Sequence, residues 1–295
     1  MTSRQRFLLM PKVELHVHLD GSFDTRLLYE TARSRAQAGT LPDKIAAMVM
    51  ACADETAFHT LVTCDDPVER TLDAMLDRFG IFLPIVEGQI QVLEELACRF
   101  VSMQATQHVL YTEVRYSPQL LRAGGAQGTG AKDADAREVV AAITRGLERG
   151  CREHPGIEIR QILCLIDGCP GFASELVELA ASYWDAGPCS VVGVDIAAGE
   201  KHFEDTPPPD GPLPSEAEDL QILQRGGQGA VSGEAGSPPA TGNGAVHRAA
   251  VRRCACSNIP LTLHAGESGP ASHVAASAGK HYGCGEPSHQ SSVIN

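Results

Sequence analysis

Short apolar runs alternate with helix-period stripes along this 295-residue chain, and that alternation limits the fold more than any other feature. Val13–Leu19, Val109–Val114, Ile159–Ile166, Val191–Ile196 and Pro260–His264 read as five strands. Leu72, Met75, Leu76 and Phe79 fall at i, i+3, i+4 and i+7, the face of one helix, and read as core packing. Ile90–Met103, Glu138–Arg149, Ser174–Trp184 and Val246–Cys256 carry further helical patterns. Apolar strands separated by helices form a parallel sheet with helices outside it. The expected fold class is α/β of the (β/α)8 TIM-barrel type, with a doubly wound sheet as the alternative. About five of the eight strands are countable, because the 31 residues after His264 are too few for three more strand–helix units.

Two stretches interrupt the pattern. Residues 122–135 are rich in Gly and Ala and read as a surface loop. Residues 205–248 hold seven Pro and eight Gly, so 15 of 44 positions disfavour regular structure. This segment is expected to be a disordered insertion in which only Glu216–Gln224 can form a short helix. The expected division is therefore a first barrel part over 1–204, the insertion over 205–248, a continuation over 249–284 and a tail over 285–295.

Charge and cysteine content narrow the partners. Lys plus Arg is 24 and Asp plus Glu is 37, which gives a formal charge of −13. So acidic a chain is ill suited to nucleic acid or to an anionic membrane surface. No apolar run approaches the 18 or so residues of a membrane span, and Phe7–Met10 is too short for the core of a signal peptide. The ten cysteines form no CxxC pair, which argues against a zinc finger and for reduced thiols in the cytoplasm.

Two segments carry candidate chemistry. In His16-Val17-His18-Leu19-Asp20-Gly21, alternate strand residues point to one side, so both imidazoles project from the C-terminal end of strand one. Barrel active sites lie at that end of the strands, and two such imidazoles either bind one zinc ion or form a satisfied core pair. In Leu261-Thr262-Leu263-His264-Ala265-Gly266-Glu267 a third His ends strand five, with a Glu three residues on that can move a proton. The small residues after Val194-Asp195-Ile196 suit either a close ligand approach or an ordinary turn. Glu113 and Arg115 share a face of strand two and read as a structural ion pair.

These residues resemble the adenosine deaminase family of zinc-dependent aminohydrolases. The matching motifs are PKVELHVHLDGS (Pro11–Ser22), YTEVRYSPQLL (Tyr111–Leu121), VVGVDIAAGE (Val191–Glu200) and LTLHAGESG (Leu261–Gly269). The likeness runs from about residue 8 to 204, resumes near 245 and fades near Cys284, and Thr71–Pro84 resembles the family's pocket-lining helix. The resemblance implies a (β/α)8 barrel that deaminates adenosine and 2′-deoxyadenosine to inosine and deoxyinosine with a zinc-activated water. It implies one Zn2+ per chain, with His16, His18 and His264 as ligands and Glu267 as the residue that protonates the purine. Asp20 would hold the ribose 5′-hydroxyl, with His18 beside the substrate. Ala198 aligns with a family glycine whose N–H meets the purine, and Gly199 follows it.

The likeness also has gaps. The family's later His-Gly motif on strand six is not found, and no Asp follows Asp219 to match its strand-eight Asp-Asp pair. The chain thus reads as a truncated or alternatively spliced form, or as an imperfect gene model, whose own turnover is in question. Two other readings remain open: a related zinc aminohydrolase acting on adenine or methylated adenosine nucleotides, and a non-catalytic zinc-binding remnant. A monomer with a purine nucleoside substrate is expected.

Overall fold

The computed structural model describes residues 6–7, 9–65, 67–68, 70–125, 135–198, 215–228, 243–265 and 293–294. Its contacts divide the chain into two compact units, Met1–Arg160 and Gln161–Asn295.

The first unit opens with β1 (Lys12–His18), which leads into a 3-10 turn at Leu19–Gly21. Four helices follow: α1 (Thr25–Gln37), α2 (Asp43–Ala51), α3 (Glu55–Val62) and α4 (Leu72–Val86). Then come α5 (Ile90–Thr106), β2 (Val109–Tyr116), the single turn α6 (Pro118–Leu121) and α7 (Ala136–Glu153). Side-chain caps start several of these helices. Asp24 accepts from Leu27 N at 2.8 Å, Asp54 from Ala57 N at 2.9 Å, Thr71 from Ala74 N at 3.2 Å and Asp135 from Glu138 N at 2.7 Å. Each cap satisfies an amide that the helix cannot, typically worth about 1 kcal/mol.

Packing departs from the sequence expectation in α4. Its buried residues are Phe82, Leu83, Ile85 and Val86, not the Leu72–Phe79 stripe, and Met75 is exposed. The core side of α4 lies in its second half, beyond the periodic run. Pro84 sits inside this helix, and Arg35 Nη1 donates to the carbonyls of Pro84 and Ile85 at 2.7 and 2.8 Å. A guanidinium thereby closes the helix end, where backbone carbonyls lack helical partners. Helices α5 and α7 pack directly on each other. Gly146 and Gly150 make that approach possible: a Cβ at Gly146 would stand 2.1 Å from the Glu94 carbonyl oxygen, and one at Gly150 would stand 2.6 Å from Val101 Cβ.

β1 and β2 pair in parallel, with Val13 opposite Tyr111 and His18 opposite Arg115. The register slips between Glu14 and Val17. Within that slip Arg115, 1% exposed, donates to the Leu15 carbonyl at 2.7 Å. Glu113 accepts instead from the Tyr111 hydroxyl at 2.9 Å. Arg115 thus uses a backbone oxygen that the irregular strand offers, and Glu113 uses the Tyr111 hydroxyl. Burial first, and then Glu113, push the Tyr111 phenol up to about 12.

β3 (Glu158–Ile166) leads into the second unit, which continues with a 3-10 turn at Pro170–Phe172, α8 (Ala173–Tyr183) and β4 (Val191–Ala197). Then follow α9 (Glu216–Gln228), α10 (Asn243–Cys256), β5 (Thr262–Leu263) and β6 (Val293–Ile294). β3 pairs with β4 in parallel, Val194 bridges to Leu261 in parallel, and β5 pairs with β6 in parallel. The strands are parallel and alternate with helices, the α/β pattern of a part of a (β/α)8 barrel. Strand five is shorter than the Pro260–His264 expected, its ladder being confined to Thr262–Leu263.

Part of the Pro/Gly-rich segment is helical. Its one expected helix forms as α9, and α10 begins at Asn243, three residues earlier than the periodicity starts. The rest of 205–248 lies outside the described residues. α9 packs on α10, on α8 and on the Pro170–Phe172 turn. Asp219, 3% exposed, receives Arg252 Nε at 2.9 Å on Oδ2 and Arg252 Nη2 on Oδ1. Among the described residues no helix is long and apolar enough to cross a membrane.

Candidate metal and substrate site

His16 and His18 end β1 as the sequence predicts, and both rings are half-buried. Their centroids are 5.6 Å apart with planes inclined at 45°. The planes are inclined, so neither ring stacks flat on the other. The register slip between Glu14 and Val17 contains His16, and bulged strands commonly re-aim side chains beside active sites. Glu14 Oε1 accepts from His16 N at 3.4 Å within the same stretch.

Asp20 lies in the turn that follows and is 3% exposed. Its Oδ2 accepts from Ser117 N at 3.2 Å, which ties the turn after β1 to the turn after β2. Its Oδ1 is 3.7 Å from His18 Nδ1. One oxygen is thus committed to the backbone, and the other faces the imidazole.

In the second unit His264 follows β5 and is 7% exposed. Its backbone N–H donates to the Ile196 carbonyl at 3.2 Å, and Val194 N donates to the Pro260 carbonyl at 3.0 Å. Gly193 permits this approach, since a Cβ there would press on the Pro260 carbonyl at 3.3 Å. The imidazole Nδ1 lies 2.8 Å from Asp195 Oδ2, and both side chains are almost wholly buried. Asp195 is the residue that sequence reasoning passed over. The signal was present: a charged residue inside the apolar run Val191–Ile196 is costly to bury unless it has a task.

Ala198, the position aligned with a family glycine, has φ of +94°. That backbone region suits glycine, and a Cβ there is strained. The turn thus keeps a glycine-like course without a glycine. Gly199 and Glu267 lie outside the described residues.

One titratable group stands apart from these. His247 on α10 is 4% exposed, and no hydrogen-bond partner is described for its Nε2. Burial lowers its basicity below the usual histidine range, and Asp167 partly opposes this.

The histidines have the donor chemistry of a metal site. Imidazole nitrogens are common zinc donors, and zinc-binding histidines usually turn their second nitrogen to a carboxylate. His264 does so with Asp195, and His18 faces Asp20 with the same nitrogen.

Histidines at the C-terminal ends of strands, on parallel α/β elements, mark the amidohydrolase class of barrel proteins. The adenosine deaminase family model matches residues 11–209, and the chain belongs to that family. It is 33% identical to adenosine deaminase of Bos taurus over 196 residues, 64% of this chain and 49% of the relative. The fold matches that of the arabidopsis N6-mAMP deaminase with a TM-score of 0.60 at 19% identity, over 92% of this chain and 64% of the other. A cog1816 amidohydrolase from Burkhoderia ambifaria with bound Zn matches with a TM-score of 0.56 at 18% identity, over 90% of this chain and 55% of the other. The chain spans about half the length of the curated relatives that head the comparison.

Proposed function

We propose that this chain carries the metal-binding part of a zinc-dependent purine aminohydrolase acting on adenosine and 2′-deoxyadenosine. Family membership over residues 11–209 carries the reading. In it His16, His18 and His264 would hold one zinc ion. Zinc at such a site acidifies a water molecule so that it can act as a nucleophile near neutral pH.

The chain's own residues do the rest. Asp195 takes the Nδ1 side of His264, which leaves Nε2 as the donor. Glu267 gives a proton to a purine ring nitrogen, which makes carbon six electrophilic. The exocyclic amine leaves as ammonia, and the oxygen of water takes its place. Backbone amides at Ala198 and Gly199 would donate to the base, and Asp20 would accept from the ribose 5′-hydroxyl. The half-exposed stripe of Leu72, Leu76 and Phe79 gives the flat base an apolar wall. A cytoplasmic monomer completes the reading, and the nine described cysteines are free thiols, as a reducing compartment requires.

The test is ultraviolet conversion of adenosine by the zinc-loaded chain, beside a His264→Ala variant. Turnover that the variant loses supports the proposal; a folded, zinc-bound chain without turnover overturns it. The fold likeness to an N6-mAMP deaminase favours a second substrate class, methylated adenosine nucleotides. Product analysis with adenosine, adenine and N6-methyl-AMP separates the two.

A further inference from the structure

We infer that β1 is a self-complementary edge through which two copies of this chain pair, antiparallel and centred on Val13. The inference is independent of the proposed zinc site, and its geometry lies wholly within the first unit.

β1 is paired along one edge. Among the described residues β2 is the one strand beside it. Lys12 N donates to the His108 carbonyl on the β2 side at 2.9 Å. Neighbouring residues of a strand turn their N–H and carbonyl groups to opposite edges, so those of Val13 face the open edge. The strand is regular at this point. The first register slip places its extra residue, Leu110, on β2, and the second begins only after Glu14. Side chains alternate accordingly: Val13 and Leu15 lie outward, 63% and 49% exposed, between the half-buried Lys12, Glu14 and His16. Exposed apolar side chains along an open strand edge form a template for a further strand.

The order of residues selects the occupant. In a two-fold antiparallel pair each residue faces one on the same side of the sheet, and both copies use the same patch. Centred on Val13, the pairing sets this residue against Val13 of the second copy. Lys12 of each copy then meets Glu14 of the other, and Pro11 meets Leu15. One face of the joined edge is apolar, and the other carries two pairs of opposite charge. Centring on Lys12 or on Glu14 would set like charges opposite each other, which is destabilising. Centring on Leu15 would draw in the slipped stretch. Lys12 also holds the start of the strand, with Nζ donating to the Met10 and Gln107 carbonyls at 3.1 and 2.7 Å.

The pairing is short, because Pro11 has no N–H to give and the slip follows Glu14. Each copy carries a formal charge of −13, so two copies repel at long range. The dilute chain is therefore a monomer, and pairs form as concentration rises.

Sedimentation velocity of the full chain over a wide concentration range reads the association. The parent should pass reversibly from monomer to dimer. Lys12→Glu or Glu14→Lys alone sets like charges opposite each other twice per dimer, and each should weaken dimerisation about tenfold. The double variant restores opposite charges and should recover most of the parent's association. Hydrogen exchange on the parent needs no variant: the Val13 amide should gain protection as concentration rises. A parent that stays monomeric throughout overturns the inference, and so does a dimer indifferent to both single reversals. A double variant no better than the singles overturns it too. A Val13 amide already protected in the dilute monomer means that another segment of the chain covers the edge, and it also overturns the inference.

Discussion

Arg252 grips Asp219 through both carboxylate oxygens and so joins α10 to α9 in a nearly dry contact. The side chains are 11% and 4% exposed. Arg253 and Glu216 add a second ion pair at 3.0 Å, but Glu216 is largely exposed and contributes little. Removing one partner of a buried pair strands the other charge. Arg252→Met should therefore destabilise the chain by about 3–5 kcal/mol, and the double variant with Asp219→Leu should recover most of that loss. Urea unfolding of the three proteins measures both effects.

His247 makes stability depend on pH. Burial lowers its folded-state pKa beneath the ordinary value of 6.5, so the unfolded chain binds the proton more readily. The stabilising neutral form is complete above that ordinary value. Its contribution is lost as pH falls through 6.5 towards the lowered folded value. The urea midpoint should drop between pH 7 and pH 5. His247→Leu should flatten that part of the profile, and an unchanged slope would assign it to other groups.

Gly146 is the tightest point between α5 and α7. A methyl group there would overlap the Glu94 carbonyl oxygen at 2.1 Å and Ala97 Cβ at 2.8 Å. Backbone cannot swing aside as a flexible side chain can. Gly146→Ala should cost about 1–3 kcal/mol despite the better helix propensity of alanine. Thermal unfolding against a control Gly80→Ala, where a Cβ meets nothing within 4 Å, isolates the packing effect.

Ala198 offers the opposite substitution. At φ of +94° its Cβ is the source of strain, so Ala198→Gly should relieve it. The greater freedom of glycine in the unfolded chain offsets part of that gain. The expected net is roughly 0.5–1 kcal/mol of stabilisation, and a loss of stability would mean that the methyl makes a compensating contact.

Strands and long helices were legible because burial imposes a period on the residues that face it. β1, β2, β3 and β4 lie within a residue or two of their apolar runs. α1, α2 and α3 were not read, since they bury only two residues each and leave no long stripe. Their signal is local: Asp24 and Asp54 stand one residue before α1 and α3 and cap them. The histidines ending β1 and β5 were legible as residue types at strand ends. The partner of Asp195 and the Arg115–Leu15 contact were not, because a cross-strand partner depends on register, and neither alternation nor composition encodes it.

The bond from Ser117 N to Asp20 Oδ2 has a consequence for binding. A loop that must order around a ligand gives back part of the binding energy as lost conformational entropy. The turn after His18 has no such debt, because folding has already fixed it to the chain beyond β2. In the proposed site, an arriving ion or nucleoside would meet a preorganised rim, and its association should proceed without a slow rearrangement at this edge.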